Sequence, residues 1–321
     1  MSVIKFLERP FPSANMIAIG SRNPVVIDTG FGSDVGQLDQ LLISVGVEPA
    51  SVALIVNTHH HSDHVGGNHY MQSRYGTHIA AHRWEAELAN RKDPNAFMSD
   101  YLDQPVEPFS VSRKLSDDDV LRAHDVSLRV IHTPGHTLGH IALYVEEELT
   151  VVCGDTLYAG DVGWLNIFRE GVSALERSLE SLEKLAALKV RRALPGHGGE
   201  LNFAETLEAA RRRYSSWLHD PEKVAWHGCK RIFAFALMIR GGLSRLQVRD
   251  YLTARPWLQD FAKYVFRAEP DVIAEELMRQ LLQSGAVAWK EDVLVACTPH
   301  NRPANTWIEH FLPRAETLTT T

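Results

Sequence analysis

The amino-acid sequence predicts an α/β fold followed by a smaller, mainly helical domain. Through residues 1–218, short apolar runs typical of strands alternate with stretches whose apolar side chains recur at helical spacing. Several of these strands end at polar segments rich in histidine and aspartate, where α/β folds usually place their chemistry. In residues 219–321, predicted helices precede a predicted hairpin, which indicates a second domain.

The elements of the first domain follow from its apolar pattern. Strands are predicted at residues 3–7, 16–19, 25–27, 52–56, 78–81, 127–131, 141–145, 150–153 and 192–194. Helices are predicted at residues 33–45, 67–75, 83–90, 174–188 and 203–218. Residues 57–67 are expected to form a polar loop. Residues 91–114 contain three prolines and scattered apolar side chains, so we interpret them as an insertion.

The C-terminal part has its own pattern. Helices are predicted at residues 230–239, 246–253 and 271–284, and a hairpin at residues 286–289 and 293–297. The hairpin is expected to turn at Glu291 and Asp292. Helices followed by a hairpin predict a winged-helix-like domain over residues 219–321.

Composition and charge restrict the class of protein. The net charge of −7 divides into −11 for residues 1–210 (17 basic, 28 acidic) and +4 for residues 211–321 (16 basic, 12 acidic), a weak signal for nucleic acid. Three widely spaced cysteines do not indicate a disulfide framework. Neither a signal peptide nor a run of roughly 20 apolar residues is recognised, so we expect a cytoplasmic protein without a membrane partner.

Four candidate metal ligands lie within six residues, namely His59, His61, Asp63 and His64. Alternate side chains of an extended segment point to the same side, so His59 and His61 can bind one ion while Asp63 and His64 face another. Imidazole nitrogens and carboxylate oxygens suit zinc, iron or manganese. Because such groups are costly to bury without a cation, a metal site is favoured over a chance cluster among 16 histidines.

Three later segments each add one candidate ligand directly after a glycine. These ligands are His136, Asp155 and His197. Glycine lets the backbone turn sharply and approach a metal closely. The sequence therefore predicts that seven side chains from distant segments converge on metal.

These motifs resemble those of the metallo-β-lactamase superfamily. Its His-x-His-x-Asp-His signature matches residues 59–64, and its later ligands match His136, Asp155 and His197. Asp28 matches a further family position. The resemblance spans residues 16–199 and implies an αββα sandwich with the site at one edge, between two sheets.

The resemblance also implies roles for these residues. Two divalent metal ions are implied, with zinc favoured and manganese or iron as alternatives. The first ion would be bound by His59, His61 and His136, the second by Asp63, His64 and His197, and Asp155 would bridge them. Asp28 would orient the ligand loop from behind, or else simply close a turn before Gly30. His60 and His140 are not ligands in this scheme.

The implied mechanism is hydrolysis by a water molecule that two metal ions share and activate. Asp63 is expected to accept or shuttle a proton. Tyr158 lies three residues after Asp155, as in the lactone-cleaving branch of the superfamily, where a tyrosine hydroxyl hydrogen-bonds the substrate. The alternative for Tyr158 is an aromatic side chain that only packs.

Residues 163–168 are unusually apolar for a loop. We expect Trp164 and Phe168 to bind an apolar or aromatic acyl group. The insertion is expected to contribute further walls through Phe97, Met98, Tyr101 and Phe109. The alternative explanation for these apolar residues is a homodimer contact.

Two function classes are compared from the sequence. The first is cleavage of a small ester, thioester or lactone; segment 155–158 also resembles that of glyoxalase-type thioesterases, although no basic cluster follows it to hold a glutathione carboxylate. The second is a metal-dependent endoribonuclease acting on single-stranded RNA, since one branch carries a winged-helix-like extension. Acidic residues on the candidate recognition helix would repel phosphates, so we favour a small-molecule substrate. These residues are Asp271, Glu275 and Glu276.

Two further classes are less favoured. A single-iron redox enzyme would lack part of the second metal set, which is present here. A β-lactam substrate is disfavoured because no secretion signal is recognised.

Overall fold

Two β-sheets form the centre of the N-terminal part of the chain. The computed structural model describes residues 3–20, 22–92, 97–124, 126–168, 170–171 and 173–312. The first sheet contains, in spatial order, β1 (Ile4–Leu7), β2 (Met16–Ile19), β3 (Val25–Ile27), β4 (Leu54–Val56), β5 (His78–His82) and β6 (Arg113–Leu115). Strands β1 to β3 pair antiparallel, whereas β3 to β6 pair parallel.

The second sheet contains five strands in the order β11-β10-β9-β8-β7. They are β7 (Val120–Ala123), β8 (Val126–His132), β9 (Ile141–Val145), β10 (Thr150–Gly154) and β11 (Arg192–Pro195). Strands β10 and β11 pair parallel, and the other neighbours pair antiparallel. Because two parallel strands need a crossover, a helix connects β10 to β11.

Helices cover the outer face of each sheet. The helices of this part are α1 (Leu38–Ser44), α2 (Ser62–Val65), α3 (Asn68–Tyr75), α4 (Arg83–Asn90), α5 (Ser99–Leu102), α6 (Ala174–Ala186) and α7 (Phe203–Trp217). Of these, α1, α3 and α4 pack on the first sheet, and α6 and α7 pack on the second. Val56 and Leu143 face inward and share one apolar cluster between the sheets. Ile55 faces outward onto α1, α3 and α4, and Ala142 faces outward onto α6 and α7. This alternation along strands confirms the implied αββα sandwich.

The C-terminal part packs several helices on a small sheet. Its elements are α8 (Pro221–Arg240), β12 (Leu243–Ser244), α9 (Arg245–Thr253), α10 (Pro256–Phe261), α11 (Pro270–Gln283), β13 (Val287–Lys290), β14 (Val293–Ala296) and α12 (Asn305–Phe311). The strand order is β12-β14-β13. Phe233 and Trp257 lie in its core, where Leu102 of α5 also packs. The winged-helix-like assignment and the boundary between residues 218 and 219 stay predictions.

Several elements differ from those predicted. The polar loop at residues 57–67 contains α2, and the insertion at residues 91–114 ends in β6, whose Arg113 and Lys114 are exposed on an edge strand. Charged edge strands lack the apolar alternation that identifies a strand. Elements α10, β7, β12 and α12 were not predicted, and α8 begins nine residues earlier than residue 230, at Pro221. Pro94 of the predicted insertion lies outside the described residues. No helix among the described residues is long and apolar enough to cross a membrane.

We predict that the close approach at Gly66 is needed for stability. A Cβ atom there would lie 2.2 Å from the backbone nitrogen of Gly32 and 2.6 Å from the carbonyl carbon of Phe31. Gly66→Ala should therefore lower the free energy of unfolding by about 1–3 kcal/mol or more. Gly36→Ala is the matched control because a Cβ at Gly36 meets no atom within 4 Å. Urea unfolding compares the two variants; equal stability would contradict this packing argument.

Candidate metal centre and substrate cavity

Three histidines form the first group of ligand atoms. His59 and His61 follow β4, and His136 follows β8. His59 Nε2 lies 3.0 Å from His61 Nδ1 and 3.2 Å from His136 Nε2. Two nitrogens bound to one tetrahedral zinc, with bonds of about 2.0–2.1 Å, lie about 3.4 Å apart. The spacing therefore suits three nitrogens that share one ion.

The second group contains one aspartate and two histidines. His197 Nε2 lies 3.0 Å from Asp63 Oδ2, and His64 Nε2 lies 3.9 Å from the same oxygen. Asp63 and His64 are on α2, while His197 follows β11. All three residues are buried, so they too form a group that could hold a metal ion.

Asp155 lies between the two groups. Its Oδ2 is 3.5 Å from His136 Nε2 of the first group. Its Oδ1 is 3.2 Å from His64 Nε2 and 4.0 Å from His197 Nε2 of the second group. The two carboxylate oxygens thus point to different groups, as a bridging ligand requires. The fold brings all seven predicted ligands together.

The donor set fits a metal better than it fits hydrogen bonding. Among the described residues, the buried atoms His64 Nε2 and Asp155 Oδ1 make no well-aligned hydrogen bond and contact only each other, at 3.2 Å, and neighbouring ligand atoms. Burying such atoms without a partner costs free energy, and a cation between them removes that cost. Imidazole and carboxylate ligands of this number suit divalent metal ions.

Burial also sets the charge of these ligands. It lowers the pKa of His59, His61 and His136, which favours the neutral imidazole that binds metals. Burial opposes ionisation of Asp155, but His64 and His197 outweigh it and hold the pKa of Asp155 well below its usual value. The first group is therefore neutral and the bridge anionic.

Asp28 lies behind the ligands, as the sequence resemblance implies. Its Oδ1 accepts a hydrogen bond from the Thr58 backbone N–H at 2.8 Å, and its Oδ2 lies 2.7 Å from both Thr58 Oγ1 and His64 Nδ1. This contact places a proton on His64 Nδ1, so Nε2 is the ring atom that faces the second group. Asp28 also has a positive φ of 57°, a conformation that aspartate tolerates better than most residues.

Two buried residues that sequence reasoning did not select hold the ligand loops. His140 Nε2 accepts a hydrogen bond from the Asp155 backbone N–H at 3.0 Å. Glu85 on α4 contacts His60 Nδ1 and accepts hydrogen bonds from Thr137 Oγ1 at 2.6 Å and Gly139 N at 3.1 Å. No local motif marks Glu85, because its partners are 25 to 54 residues away in the chain.

The predicted substrate residues are placed unequally. Trp164 stacks on the His61 ring with centroids 5.5 Å apart, and its carbonyl oxygen lies 2.6 Å from His136 Nδ1. The Tyr158 hydroxyl donates a hydrogen bond to Asp155 Oδ2. The Phe168 ring contacts Phe261 and Tyr264 instead, at 5.0 and 5.8 Å. Trp164 and Tyr158 lie at the site, whereas Phe168 does not.

A cavity of about 270 Å³ opens over both ligand groups. His61, Asp63, Asp155 and His197 lie at its floor, with Tyr158 and Trp164 beside them. The apolar wall consists of Phe11, Leu102, Ile232, Phe235 and Met238.

The four insertion residues that were predicted to line the substrate pocket do not line this cavity. Phe97 and Phe109 pack in the core beneath the first sheet, and Met98 and Tyr101 pack against the C-terminal part.

The sequence matches one known family along most of its N-terminal part. Residues 9–197 match the description "Metallo-beta-lactamase superfamily", which is more than half of the chain. The chain belongs to the metallo-β-lactamase superfamily. This membership and the histidine and aspartate groups imply divalent metal ions.

Relatives of this metallo-β-lactamase superfamily member include thioester hydrolases. The acyl-coenzyme A thioesterase MBLAC2 of Bos taurus is 30% identical over 266 residues, which cover 72% of this chain and 90% of the relative. A hydroxyacylglutathione hydrolase of Pelagibacter ubique is 30% identical over 131 residues, covering 41% of this chain and 46% of the relative. The chain thus spans about half the length of such hydroxyacylglutathione hydrolases.

One solved structure extends the comparison to the C-terminal part. A metallo-beta-lactamase family protein from Thermus thermophilus matches with a TM-score of 0.58 and 22% identity. The match covers 92% of this chain and 98% of that protein. The overall fold is therefore shared by another superfamily member.

We predict that Asp28 controls the metal affinity of this superfamily member. Asp28→Asn replaces one carboxylate oxygen by an amide that cannot accept from His64 or Thr58, so metal affinity should fall roughly 10- to 100-fold. Competition with a chelator measures this loss. Asp39→Asn is the matched control, because Asp39 accepts hydrogen bonds from Tyr70 and Tyr75 away from the site. Parent-like metal retention by Asp28→Asn would contradict the role.

Proposed function

We propose that the protein is a metal-dependent hydrolase of thioesters with an apolar acyl group. One observation carries the proposal: seven candidate histidine and aspartate ligands converge, and four of them form the floor of a cavity whose outer wall is apolar. The named activities of the relatives support the same reaction class, because both are thioester hydrolases.

The proposed site holds two divalent ions, with zinc favoured and manganese or iron as alternatives. His59, His61 and His136 would hold one ion, Asp63, His64 and His197 the other, and Asp155 both. When bound, the ions would lower the pKa of a water molecule and polarise the thioester carbonyl.

Two side chains at the cavity floor are placed to handle protons and charge. Asp63 lines the cavity, so its carboxylate can accept the proton that the attacking water loses. Burial and the adjacent Asp155 raise the pKa of Tyr158, so its hydroxyl stays protonated. If its single O–H turns from Asp155 Oδ2 to the substrate, Tyr158 can donate a hydrogen bond to the oxygen that gains negative charge as the carbonyl is attacked.

The apolar wall favours an acyl chain over a nucleotide. Ile232, Phe235 and Met238 lie on α8, and Leu102 lies on α5. Such a wall gains free energy by removing methylene groups from water, about 0.8 kcal/mol for each. It offers no such gain to a phosphodiester backbone, so we do not favour the endoribonuclease alternative. A homodimer stays a prediction.

We expect Asp155→Ala to abolish thioester hydrolysis and to reduce the bound metal. The parent protein, supplied with zinc, should cleave hexanoyl-CoA, releasing thiol that a colorimetric reagent detects. Elemental analysis of the same samples reports metal per chain. His132→Ala is the matched control, since His132 stacks on His82 outside the ligand groups. Activity that survives in Asp155→Ala would refute the bridging role, and a parent that cleaves no thioester would refute the function.

The acyl-chain profile should depend on the α8 wall. Ile232→Ala enlarges the cavity, so the preferred acyl chain should lengthen by about two or three carbons. Ile239→Ala is the matched control, because Ile239 is equally buried on α8 but packs with Phe31 and Leu312 outside the cavity. Both variants should lose about 2–4 kcal/mol of stability. A profile unchanged in Ile232→Ala, measured from C4 to C12 thioesters, would place the acyl chain elsewhere.

A further inference from the structure

One cation faces the cavity that holds the candidate metal centre. Among the described residues that line this cavity, Arg231 is the single lysine or arginine. It lies on α8 next to the wall residue Ile232, and its side chain is 49% exposed. Since a guanidinium in an apolar wall is unfavourable unless it is paired, its partners determine what it does.

Arg231 pairs with Asp161, which already has two other partners. The Asp161 Oδ1 atom lies 2.5 Å from Arg213 Nη1 and 3.1 Å from His227 Nε2. Asp161 Oδ2 contacts Arg231 alone among these groups. The Asp161 side chain is only 13% exposed, so it is held in place by this network. If Arg231 turned away, Oδ1 would keep both of its partners.

The cluster around Asp161 carries more positive than negative charge. Burial, followed by the charge of Arg213, lowers the pKa of His227 to about 3, so this imidazole is neutral near pH 7. Two guanidinium groups then face one carboxylate, which leaves one positive charge without a matching anion in the cluster. Arg213 and His227 both contact Oδ1, so they would still hold the Asp161 carboxylate in place if Arg231 turned to another anion, although Oδ2 would then lose its protein partner.

The cluster is joined to the reaction centre by one tight turn. Tyr158 N donates to Asp161 O at 3.3 Å, and Asp161 N donates to Tyr158 O at 3.4 Å. The Tyr158 hydroxyl contacts the Asp155 carboxylate at the cavity floor. Arg231 and the ligand groups thus line one cavity, and Arg231 is close enough to Tyr158 to interact with it electrostatically, so it is within reach of a molecule bound there.

We propose that Arg231 determines specificity by binding an anionic oxygen group of the substrate, a carboxylate or a phosphate. This inference rests on the proposed thioesterase function and adds the substrate class: an acyl thioester that carries a negative charge. A planar guanidinium binds carboxylate and phosphate oxygens with two parallel hydrogen bonds. In the complex, the substrate anion replaces Asp161 as the partner of Arg231.

The anion can come from either side of the thioester bond, and matched substrates separate the two sources. Hexanoyl-N-acetylcysteamine is neutral. The adipoyl half-thioester of N-acetylcysteamine has the same six acyl carbons and adds a terminal carboxylate. Hexanoyl-CoA keeps the neutral acyl group and adds phosphates on the thiol side. The quantity compared is the ratio of kcat/KM for each anionic substrate to that for the neutral one.

The parent should prefer one anionic substrate, and Arg231→Gln should reduce that preference roughly 10- to 100-fold, the effect of losing one charged hydrogen-bonded pair. The loss should be mainly in KM, since the contact is made before the chemical step. Arg231→Lys should recover part of the preference. Lys230→Gln is the matched control, because Lys230 is the adjacent cation on α8 but does not line the cavity. It should keep the parent ratio.

The outcomes for the two proposals differ. If the parent cleaves the neutral thioester but shows no anionic preference, or if Arg231→Gln keeps the parent ratio, the Arg231 inference is overturned and the thioesterase function stands. If the parent cleaves no thioester, that function fails, and anion binding is measured by thermal stabilisation with adipate and with adenosine 3′,5′-bisphosphate. Stabilisation of the parent but not of Arg231→Gln then supports the anion site, and equal shifts overturn it.

Discussion

The structure depends on the burial of seven imidazole and carboxylate groups whose ligand atoms converge in one place. Neighbouring ligand atoms lie 3 to 4 Å apart, a spacing that suits atoms bound to a shared cation. Two of these atoms make no well-aligned hydrogen bond among the described residues. Because an unsatisfied buried polar group costs roughly 1–3 kcal/mol, the surrounding fold must hold the groups in place against that cost until metal binds.

The candidate ligands are held in place at the edge where the two sheets meet. Asn15, which precedes β2 of the first sheet, donates to the carbonyl oxygens of Pro195 and Gly198 at 2.9 and 2.8 Å, at the end of β11 of the second sheet. A Cβ atom at Gly196 would lie 2.2 Å from Asp155 Oδ1. His197 and Asp155 are thus positioned by one joint between the sheets, and glycine is the residue that allows their approach.

Short sequence motifs were sufficient to predict the candidate metal ligands. The His59 to His64 segment holds four ligands in six residues, and the three later ligands each follow a strand and a glycine, so both motif and resemblance identify them. Glu85 and His140 could not be identified in this way. Their importance arises from hydrogen bonds to distant loops, and a glutamate within an amphipathic helix has no distinctive spacing.

The residues that line the cavity were also difficult to predict, because their role depends on contacts with distant parts of the chain. The apolar residues chosen from segments 97–109 and 163–168 predicted a pocket, yet most of them pack into the cores. The wall comes instead from Phe11, from Leu102, which was not chosen, and from α8. An apolar residue on a helix looks the same in sequence whether it fills a core or faces a ligand, because both positions require burial. Only the packing of the C-terminal part onto the sandwich distinguishes Ile232, which faces the cavity, from Ile239, which does not.

The candidate metal ligands and most of the cavity wall come from different parts of the chain. The sandwich supplies the candidate ligands, whose geometry admits little variation, while α8 supplies three of the apolar wall residues and the single lysine or arginine of the cavity lining among the described residues. Superfamilies of this kind keep their chemistry and change their surrounding segments. Under the proposed function, replacements along one face of α8 would alter the preferred acyl length and substrate charge without disturbing the candidate metal ligands, because none of these ligands lies on that helix.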